Sequence, residues 1–337
     1  MPAEVRYAVV CSIRDEGPFL VEWVVWQRML GFTDIVVVSN DCTDPSLELL
    51  DALQAAGWLT HLRHDVPDGR SICARKLKAA GRLPQVAGAD WVMVCDVDEF
   101  LVVHVGDSGV ADLVASVAEP YLGMAVNWRV YGSSGIAHYQ DLPVHQQFLR
   151  AGSLRHSSAR WIKCLHSHPD WFARLGEHGP RGLDLGRAGR DWGAPGMRWV
   201  NSAGETLPGW RPDGPYLRSL APGETSHAVA QINHYMVKSV EGFGLKRGTL
   251  SAVAGVDRYT EGYFTRHDRN EIEDPSALSY GARFSGLRDQ AMALPGVARL
   301  HHLACAAYIA RIAARAGRVA AADPRHRMHL DLAKAAR

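Results

Sequence analysis

Two aspartates separated by one residue, Asp96 and Asp98, follow the short apolar run at 91–95. Such a run is typical of a buried strand, so both carboxylates are expected just beyond the strand's carboxyl end. Carboxylates at that spacing can reach one hard divalent cation, directly or through water, and the cation can in turn neutralise phosphate charge. A solvated acidic turn is the alternative, because an Asp-x-Asp triplet is common by chance.

Polar side chains also follow the first two apolar runs of the chain. Arg14 and Glu16 come after the first run, and Asn40 and Asp41 come after the second. Because ligands of an open parallel sheet bind beyond the carboxyl ends of its strands, these side chains and the Asp-x-Asp triplet predict one polar crevice. Asn40 and Asp41 are also good turn and N-cap residues, and for Asp41 the two interpretations stay open.

The elements that would position these residues alternate between strand and helix over the first hundred positions. The predicted strands are 7–11, 35–38, 59–62 and 91–95, and the predicted helices begin at Pro18, Asp44 and Ser71. Strands separated by helices of this size imply right-handed crossovers. The predicted fold class is therefore α/β, with a mostly parallel, Rossmann-like sheet flanked by helices.

The pattern loosens beyond residue 104. Residues 124–131 predict one more strand, and residues 132–230 are rich in Gly, Pro, Trp, His and Arg without strong periodicity. The tryptophans in that stretch need burial or a ligand to stack on, so we expect irregular structure that closes over a site. Residues 286–337 turn rich in Ala and Arg and predict a helical tail.

Charge and cysteine content argue against several classes of protein. Lys and Arg total 37 against 36 Asp and Glu, so no global field attracts nucleic acid. The 6 cysteines include no Cys-x-x-Cys pair, which argues against a zinc ribbon or thioredoxin-like site and favours a reducing compartment. The sequence shows no signal-peptide pattern and no apolar run of membrane-spanning length. A cytoplasmic protein is predicted, with peripheral contact at the inner face of a membrane left open.

Several segments resemble family 2 glycosyltransferases, in particular their branch related to family 92. Residues 96–100 match that branch's D-x-D-E-F motif, and residues 40–44 match its N-D-S-T-D turn with Cys42 in place of Ser. Further similar segments lie at 13–16, 22–23, 30–31, 69–76, 127–135 and 233–248. The resemblance spans roughly residues 5–285 and keeps the motifs in the family's order.

The resemblance implies a GT-A fold, a nucleotide-sugar donor and a divalent metal, Mn²⁺ or Mg²⁺. It implies a glycosyltransferase domain at 1–285, with a nucleotide-sugar-binding half at 1–104, an acceptor half at 105–285 and the helical tail at 286–337. The turn at 40–41 favours a UDP-sugar. The function implied is inverting transfer of a hexose-type sugar to a glycan or lipid-linked acceptor, in surface polysaccharide or glycolipid synthesis.

The resemblance also assigns roles near the donor. Arg14, Glu16, Asn40 and Asp41 would hold the nucleoside base and ribose, and Arg75 would face the donor from the start of its helix. These positions agree with the polar crevice expected at the strand ends.

Metal and phosphate contacts are assigned in the same way. Asp96 would contact the ribose or the metal and Asp98 the metal, with His234 as a candidate third ligand. A core histidine hydrogen-bonded to backbone is the alternative for His234. Lys246 and Arg247 could pair with the diphosphate leaving group, although a solvated basic turn has the same composition.

An inverting transfer also needs a carboxylate that accepts the proton of the acceptor hydroxyl. Glu177 and Asp191 lie in the predicted acceptor half and are the candidates, although either could be a structural or surface acid. Tryptophans between 161 and 210 could stack on sugar faces or pack in a core.

Two other classes of function share parts of this pattern. A nucleotidyltransferase would use the same fold and metal carboxylates, but it would carry a Gly-rich phosphate loop after the first strand, and residues 12–17 hold a single Gly. A non-catalytic module that binds a nucleotide-sugar or glycan would be marked by loss of the Asp-x-Asp triplet, which is intact.

The tail has two interpretations. From Gln290 to Ala322 it contains no acidic residue, while apolar residues recur at helical spacing among several arginines. Such a helix can lie on an anionic membrane surface, close to a lipid-linked acceptor. Packing back on the domain is the favoured alternative, because most amphipathic helices simply pack.

Overall fold

The computed structural model describes residues 4–64, 72–249 and 257–336, so positions 69–71 of the segment 69–76 lie outside it. The strands are β1 (Tyr7–Ile13), β2 (Asp34–Ser39), β3 (Thr60–Arg63), β4 (Trp91–Val94), β5 (Glu99–Val103), β6 (Gly123–Val130), β7 (Arg150–Ala151), β8 (Ile162–Ser167), β9 (Phe172–Arg174), β10 (Arg181–Leu183), β11 (Trp199–Asn201), β12 (Ala230–His234) and β13 (Ile272–Glu273). The helices are α1 (Gly17–Met29), α2 (Ser46–Ala55), α3 (Ile72–Ala80), α4 (Pro84–Ala87), α5 (Val110–Ala115), α6 (Val144–Gln147), α7 (Leu185–Ala188), α8 (Val240–Lys246), α9 (Glu261–His267), α10 (Gly281–Met292), α11 (Val297–Arg315) and α12 (Pro324–Ala335).

Within the described residues, a 9-stranded mixed sheet organises the chain. Its strand order is β3-β2-β1-β4-β8-β6-β12-β5, and β11 pairs in parallel with β6. β1 pairs in parallel with β2 and β4, whereas β8 runs antiparallel to both β4 and β6. Parallel neighbours require crossover connections, and helices α1 to α4 lie in the connections between β1 and β4.

Both faces of the first strands are buried, which is why their sequences are continuous apolar runs. Val9 and Val37 pack in the same cluster as Trp23 of α1. On the opposite face, Ala8 packs in a second cluster with Leu77 of α3. Runs without polar alternation are typical of strands covered on both sides.

Helix α1 is buried on almost every side, partly by contacts with the helices of the tail. Helices α10 and α11 both pack on it. The indole N–H of Trp26 donates to the Leu101 carbonyl at 2.9 Å. A Cβ on Gly17 would lie 2.6 Å from the Cβ of Ala304, so glycine is what allows α11 to approach the start of α1. The tail is therefore part of the packing of the sheet domain.

The tail folds back as helices α10, α11 and α12, the first of which begins at Gly281. The apolar face of α11 is covered by protein, with Ala304, Ile309 and Ile312 buried. The exposed Lys and Arg residues of the described tail are Arg283, Arg299, Arg315, Arg318, Arg327 and Lys334. None of the helices that the structure describes is long and apolar enough to cross a membrane.

The fold class predicted from the sequence is confirmed: an α/β architecture with a mostly parallel sheet, flanking helices and a helical tail. Two features were not predicted. β8 inserts an antiparallel strand between β4 and β6, and β5 pairs antiparallel with β12 immediately after the Asp-x-Asp triplet. This second pairing places the late residue His234 opposite Glu99, beside the triplet.

Candidate active site

A cavity of about 870 Å³ opens at the carboxyl ends of β1 and β4. Among the described residues of its lining, cationic side chains outnumber acidic ones. The Lys and Arg residues are Arg14, Lys76, Lys163, Arg218, Lys238, Lys246, Arg258, Arg266 and Arg311, and the acids are Asp15, Glu16, Asp96, Asp98 and Glu177. An excess of positive charge in a cleft favours an anionic ligand.

Asp98 lies at the centre of a charged cluster on the cavity wall. Its Oδ2 is 3.2 Å from Lys246 Nζ, and its Oδ1 is 3.5 Å from His234 Nε2. The Tyr235 N–H donates to the Asp98 carbonyl at 2.8 Å, which fixes the backbone of the triplet against β12. Burial alone would raise the pKa of Asp98, but Lys246 and His234 outweigh it and hold that pKa well below its usual range. Asp98 is therefore an ionised carboxylate at neutral pH.

Asp96 is linked to a buried ion pair behind the cavity. Lys163 Nζ lies 3.0 Å from Asp96 Oδ2 and 2.9 Å from Glu99 Oε2. Lys163 and Glu99 are 1% and 0% exposed, whereas the Asp96 side chain is 43% exposed and lines the cavity. Burial alone would lower the pKa of Lys163, but Asp96 and Glu99 raise it well above its usual value. Lys163 is therefore charged and holds Asp96 in place.

His234 connects the two acidic positions. Its Nε2 faces Asp98, and its Nδ1 lies 3.7 Å from Glu99 Oε1. The Trp128 ring packs edge-on against the imidazole, with ring centroids 4.3 Å apart. Within the described structure, His234 Nδ1 and Glu99 Oε1 are both buried without a hydrogen-bond partner. The imidazole is thus held between a buried carboxylate and the carboxylate that lines the cavity.

Asp98 and His234 fit a divalent ion. Two ligand atoms bound to one ion at about 2.1 Å lie about 3 Å or more apart, and Asp98 Oδ1 and His234 Nε2 are 3.5 Å apart. A carboxylate behind the imidazole commonly orients a metal-binding histidine through a hydrogen bond, and Glu99 has this position, at 3.7 Å, a distance longer than such a bond. Among the described residues, Asp96 does not join them in a cluster of ligand atoms within 4.8 Å of one another. A direct bond from Asp96 would require a shift of its side chain.

Glu16 and Lys238 form a second charged pair in the cavity. Glu16 Oε2 is 3.8 Å from Lys238 Nζ, which lies 3.7 Å from the centroid of the Phe19 ring. Lys238 has a φ of 55°, a left-handed conformation that residues with a Cβ rarely adopt. Burial lowers the pKa of Lys238 and raises that of Glu16. Strained backbone and displaced pKa values are concentrated at functional sites.

The tail contributes directly to this cavity. Tyr308 and Arg311 of α11 line it, and Arg311 Nη1 lies 3.6 Å from Asp15 Oδ2. Asp15 also accepts a hydrogen bond from Thr43 Oγ1 at 3.1 Å, which ties the loop after β1 to the turn after β2. Residues on both sides of the predicted domain boundary at 285 thus form one site.

Of the four residues predicted to hold the base and ribose, two line the cavity and two lie outside its described lining. Arg14 and Glu16 line the cavity. Asn40 is buried, whereas Asp41 is exposed with a φ of 48°. Neither Asn40 nor Asp41 belongs to the cavity lining among the described residues.

Of the three cations predicted on α3 and at the end of α8, Lys246 lines the cavity, whereas Arg75 and Arg247 are absent from the lining among the described residues. Arg75 is exposed, whereas its neighbour Lys76 is buried, lines the cavity and donates to a β1 carbonyl at 3.0 Å. Lys246 lines the cavity as expected for a phosphate contact, but Arg247 is half-exposed and pairs with Glu261. Arg75 and Arg247 therefore remain outside the described lining.

The two candidate bases lie in different environments. Glu177 lines the cavity next to His178. Asp191 is exposed and does not belong to the lining that the structure describes. Of the two, Glu177 is the carboxylate that can reach a ligand bound in the cavity.

A pair of stacked tryptophans forms one wall of the cavity. Trp128 and Trp161 have ring centroids 5.6 Å apart at 14°, and His178 packs against both. Trp161 is 37% exposed and lines the cavity, so its face is available to a base or a sugar ring. Trp199 and Trp210 instead stack on each other at 4.3 Å in a separate core cluster.

The sequence did not indicate Lys163 as a site residue, although it contacts both Asp96 and Glu99. It lies on β8, a strand that no sequence pattern indicated, and its partner Asp96 is 67 positions away. A lysine within the apolar run 161–165 was the available signal, because a fully buried lysine almost always has a charged partner.

No family model matches the chain, and no curated protein matches it. Among solved structures, S. aureus TarS 1-349 is 10% identical, covering 99% of this chain and 92% of that chain with a TM-score of 0.35. Its complex with UDP is 13% identical, covering 40% of this chain and 38% of that one, with a TM-score of 0.29.

Two further solved structures are similar to parts of the chain. Glucosyl-3-phosphoglycerate synthase from Mycobacterium tuberculosis, in complex with Mn²⁺, UDP and glucosyl-3-phosphoglycerate, is 14% identical, covering 60% of this chain and 71% of that one, with a TM-score of 0.29. A Bacillus anthracis protein assigned as a glucose-1-phosphate thymidylyltransferase is 12% identical, with coverages of 49% and 72% and a TM-score of 0.30. Because all these TM-scores are below 0.5, the likenesses carry no weight on function, which depends on the site itself.

Proposed function

We propose that this chain is a GT-A glycosyltransferase that moves a sugar from a nucleotide-sugar donor with the help of a divalent metal ion. The observation that carries the proposal is the grouping of Asp98, His234 and Lys246 on the wall of a cavity rich in cationic side chains. A carboxylate and an imidazole suited to one ion lie beside an ammonium suited to a diphosphate. The resemblance of residues 96–100 and 233–248 to family 2 glycosyltransferases supports the same assignment.

Asp98 and His234 would hold Mn²⁺ or Mg²⁺, and Asp96 would contact the ion or the ribose. When bound, the ion supplies charge neutralisation on the leaving diphosphate. Lys246, which is already next to Asp98, would donate to phosphate oxygens of the leaving group. Lys163, 3.0 Å from Asp96 Oδ2, would hold the Asp96 side chain in position during this step.

We assign Glu177 as the general base of an inverting transfer. Among the described residues, the other acids of the lining are each paired with a Lys or Arg side chain, and Glu177 has no such ion pair. A carboxylate that no Lys or Arg side chain holds in place can turn toward an acceptor hydroxyl. Glu177 would take the proton of the acceptor hydroxyl as that oxygen attacks the anomeric carbon and the diphosphate leaves.

The donor favoured by this proposal is a UDP-sugar, which rests on the resemblance at residues 40–44. The acceptor would be a glycan or a lipid-linked sugar of polysaccharide or glycolipid synthesis. A lipid-linked acceptor would bring the exposed arginines of the tail close to the inner face of a membrane. Co-sedimentation with anionic vesicles at low and high salt tests that contact, because electrostatic adsorption weakens as ionic strength rises.

A donor screen tests the enzymatic proposal. The purified chain is incubated with UDP-, GDP- and dTDP-sugars in the presence of Mn²⁺, and released nucleoside diphosphate is measured. We expect release from a UDP-sugar that stops when EDTA removes the metal and resumes when Mn²⁺ is restored. Absence of release from every donor would contradict the proposal. Release of pyrophosphate from a nucleoside triphosphate and a sugar phosphate would instead indicate a nucleotidyltransferase.

A further inference from the structure

A second cluster of metal-binding side chains lies where the tail meets the loop between β6 and α6. Its members are Asp141 of that loop, His301, His302 and Cys305 of α11, and His329 of α12. None of the five belongs to the described lining of the cavity. The proposed sugar transfer therefore leaves this cluster unexplained.

The donor atoms of the cluster converge on a small space. The Nδ1 atoms of His302 and His329 are 3.2 Å apart, and Asp141 Oδ2 lies 3.9 Å from the first and 4.0 Å from the second. The ligand atoms of Asp141, Cys305 and His329 all lie within 4.8 Å of one another. Four ligands at the Zn–N and Zn–S distances of a tetrahedral site would be separated by roughly 3.3 to 3.8 Å. The measured spacing of Asp141, His302 and His329 is close to that of a zinc site.

Hydrogen bonds account for only part of this arrangement: Cys305 Sγ lies 3.6 Å from His301 Nε2, within hydrogen-bond reach, whereas Asp141 Oδ2 is beyond that reach from His302 and His329. Two facing Nδ1 atoms can form a hydrogen bond only if one of them carries the proton, and the contacts of 3.9 and 4.0 Å to Asp141 are too long for hydrogen bonds. Cys305 and His329 are nevertheless buried, at 0% and 2% exposure. A cation between Asp141, His302 and His329 would satisfy the lone pairs that face one another across these distances.

We propose that Asp141, His302, Cys305 and His329 bind one Zn²⁺ ion. A thiolate, two imidazoles and one carboxylate suit zinc better than they suit Mg²⁺ or Mn²⁺, which prefer oxygen ligands. The Cys305 thiol releases its proton to solvent on binding, and the thiolate and the Asp141 carboxylate then balance the charge of the ion. Four protein ligands close the coordination sphere, which is typical of a structural site.

His301 completes the site as an outer partner. Its Nε2 lies 3.0 Å from Asp141 Oδ1 and 3.2 Å from Oδ2, within hydrogen-bond distance of the carboxylate. Carboxylates that bind metals are commonly held by such a hydrogen bond. The sulfur of Cys305 also accepts a hydrogen bond from Tyr139 Oη at 3.3 Å.

A zinc ion here would join three parts of the chain that no covalent bond connects. It would link α11 to α12 and both to the loop at 139–141. Tyr308 and Arg311, one to two turns further along α11, line the cavity. The ion would therefore fix the position of two residues of the site from a distance.

Metal binding by the full chain tests this proposal independently of any enzymatic activity. The purified protein is stripped with a chelator and titrated with Zn²⁺, and then, in a separate sample, with Co²⁺. We expect tight binding of one Zn²⁺ that raises the melting temperature, and with Co²⁺ a thiolate-to-metal charge-transfer band. The site at Asp98 and His234 cannot give this band, because it contains no thiolate. A folded wild-type chain without the band would overturn the proposal.

Matched variants identify the ligands. Cys305→Ser is expected to abolish the charge-transfer band, and His329→Gln to abolish tight zinc binding. Cys164→Ser, another buried thiol, and His326→Gln, on the same helix as His329, are expected to retain both properties. A band that survives Cys305→Ser, or tight zinc binding that survives His329→Gln, would show that the ion is bound elsewhere and the proposal is wrong.

Discussion

Lys246 Nζ lies 3.2 Å from Asp98 Oδ2 and donates to the Met236 carbonyl at 2.9 Å. The ammonium is thereby fixed by the segment that follows His234, and the carboxylate by the turn that follows β4. Two distant parts of the sequence thus place a cation and an anion side by side before any donor is present. Both charges are then available to the diphosphate and the metal ion of the proposed donor complex.

Replacing Asp98 by Asn should strongly impair sugar transfer while leaving the fold intact. We expect kcat/KM to fall by about 10²–10³, because the variant loses the proposed metal ligand and the partner of Lys246. The checks are released nucleoside diphosphate at saturating Mn²⁺ and the circular dichroism spectrum. An unchanged turnover number would remove Asp98 from the metal site.

Glu177→Gln and Asp191→Asn should behave differently, although sequence reasoning treated them as equal candidates. Glu177 lines the cavity and Asp191 is exposed outside the described lining. We expect Glu177→Gln to lower kcat by about 10²–10⁴ with little change in the donor KM, since loss of a general base affects the chemical step. Asp191→Asn should retain wild-type kinetics. Equal activity of the two variants would rule out Glu177 as the base.

Lys163→Met should destabilise the protein strongly. Glu99 is 0% exposed, and it would lose its 2.9 Å partner. An unpaired buried charge costs about 3–5 kcal/mol. Chemical denaturation of the wild type and the variant measures this loss.

The double variant Lys163→Met with Glu99→Gln separates charge from packing. Because it removes both buried charges, we expect it to be more stable than Lys163→Met alone. A double variant at least as unstable as the single one would show that the lysine contributes through packing and not through its charge.

Part of this site was predictable because local sequence determines it. The apolar runs of β1, β2 and β4 predict buried strands, and the carboxyl ends of those strands place Arg14, Glu16 and the Asp-x-Asp triplet near one another. Arg75 shows the limit of such reasoning. Whether it or Lys76 enters the cavity depends on the rotation of α3 against the sheet, which motif matching does not determine.

Other parts depended on long-range pairing and could not be predicted. Lys163 reaches Asp96 only because β8 inserts between β4 and β6. Arg311 reaches the cavity only because α11 packs across α1, at a close approach that Gly17 permits. These contacts are made across the tertiary fold, and no periodicity within one segment indicates them.

Glu241 should make the stability of the tail sensitive to acid. Its Oε2 is 2.8 Å from Arg325 Nη1 and its Oε1 is 3.0 Å from His138 Nδ1. Burial alone would raise the pKa of Glu241, but hydrogen bonds from Arg325 and His138 lower it from 4.5 to about 2. A lowered pKa contributes stability that is complete above about pH 4.5 and is lost as the pH falls toward 2.

Glu241→Gln tests this expectation. At neutral pH the variant should be less stable than the wild type by about 1 kcal/mol, the upper end for partly exposed ion pairs. The difference should shrink as the pH is lowered from 4.5 toward 2. Thermal unfolding of both proteins across this range is the measurement, and a difference that stays constant would contradict the assigned pKa.

Arg311→Gln should weaken nucleotide binding even though Arg311 belongs to the tail. Its guanidinium lines the cavity and lies 3.6 Å from Asp15, in the loop that follows β1. Loss of one charge-assisted contact to an anionic ligand should raise the Kd for UDP about 10-fold, equivalent to ~1.4 kcal/mol. Arg299→Gln is the matched control, because Arg299 is exposed at the other end of the same helix and should bind UDP as the wild type does. Calorimetry with UDP and Mn²⁺ measures both variants. Equal affinity for UDP in the two variants would show that the tail covers the domain without contributing to the donor site.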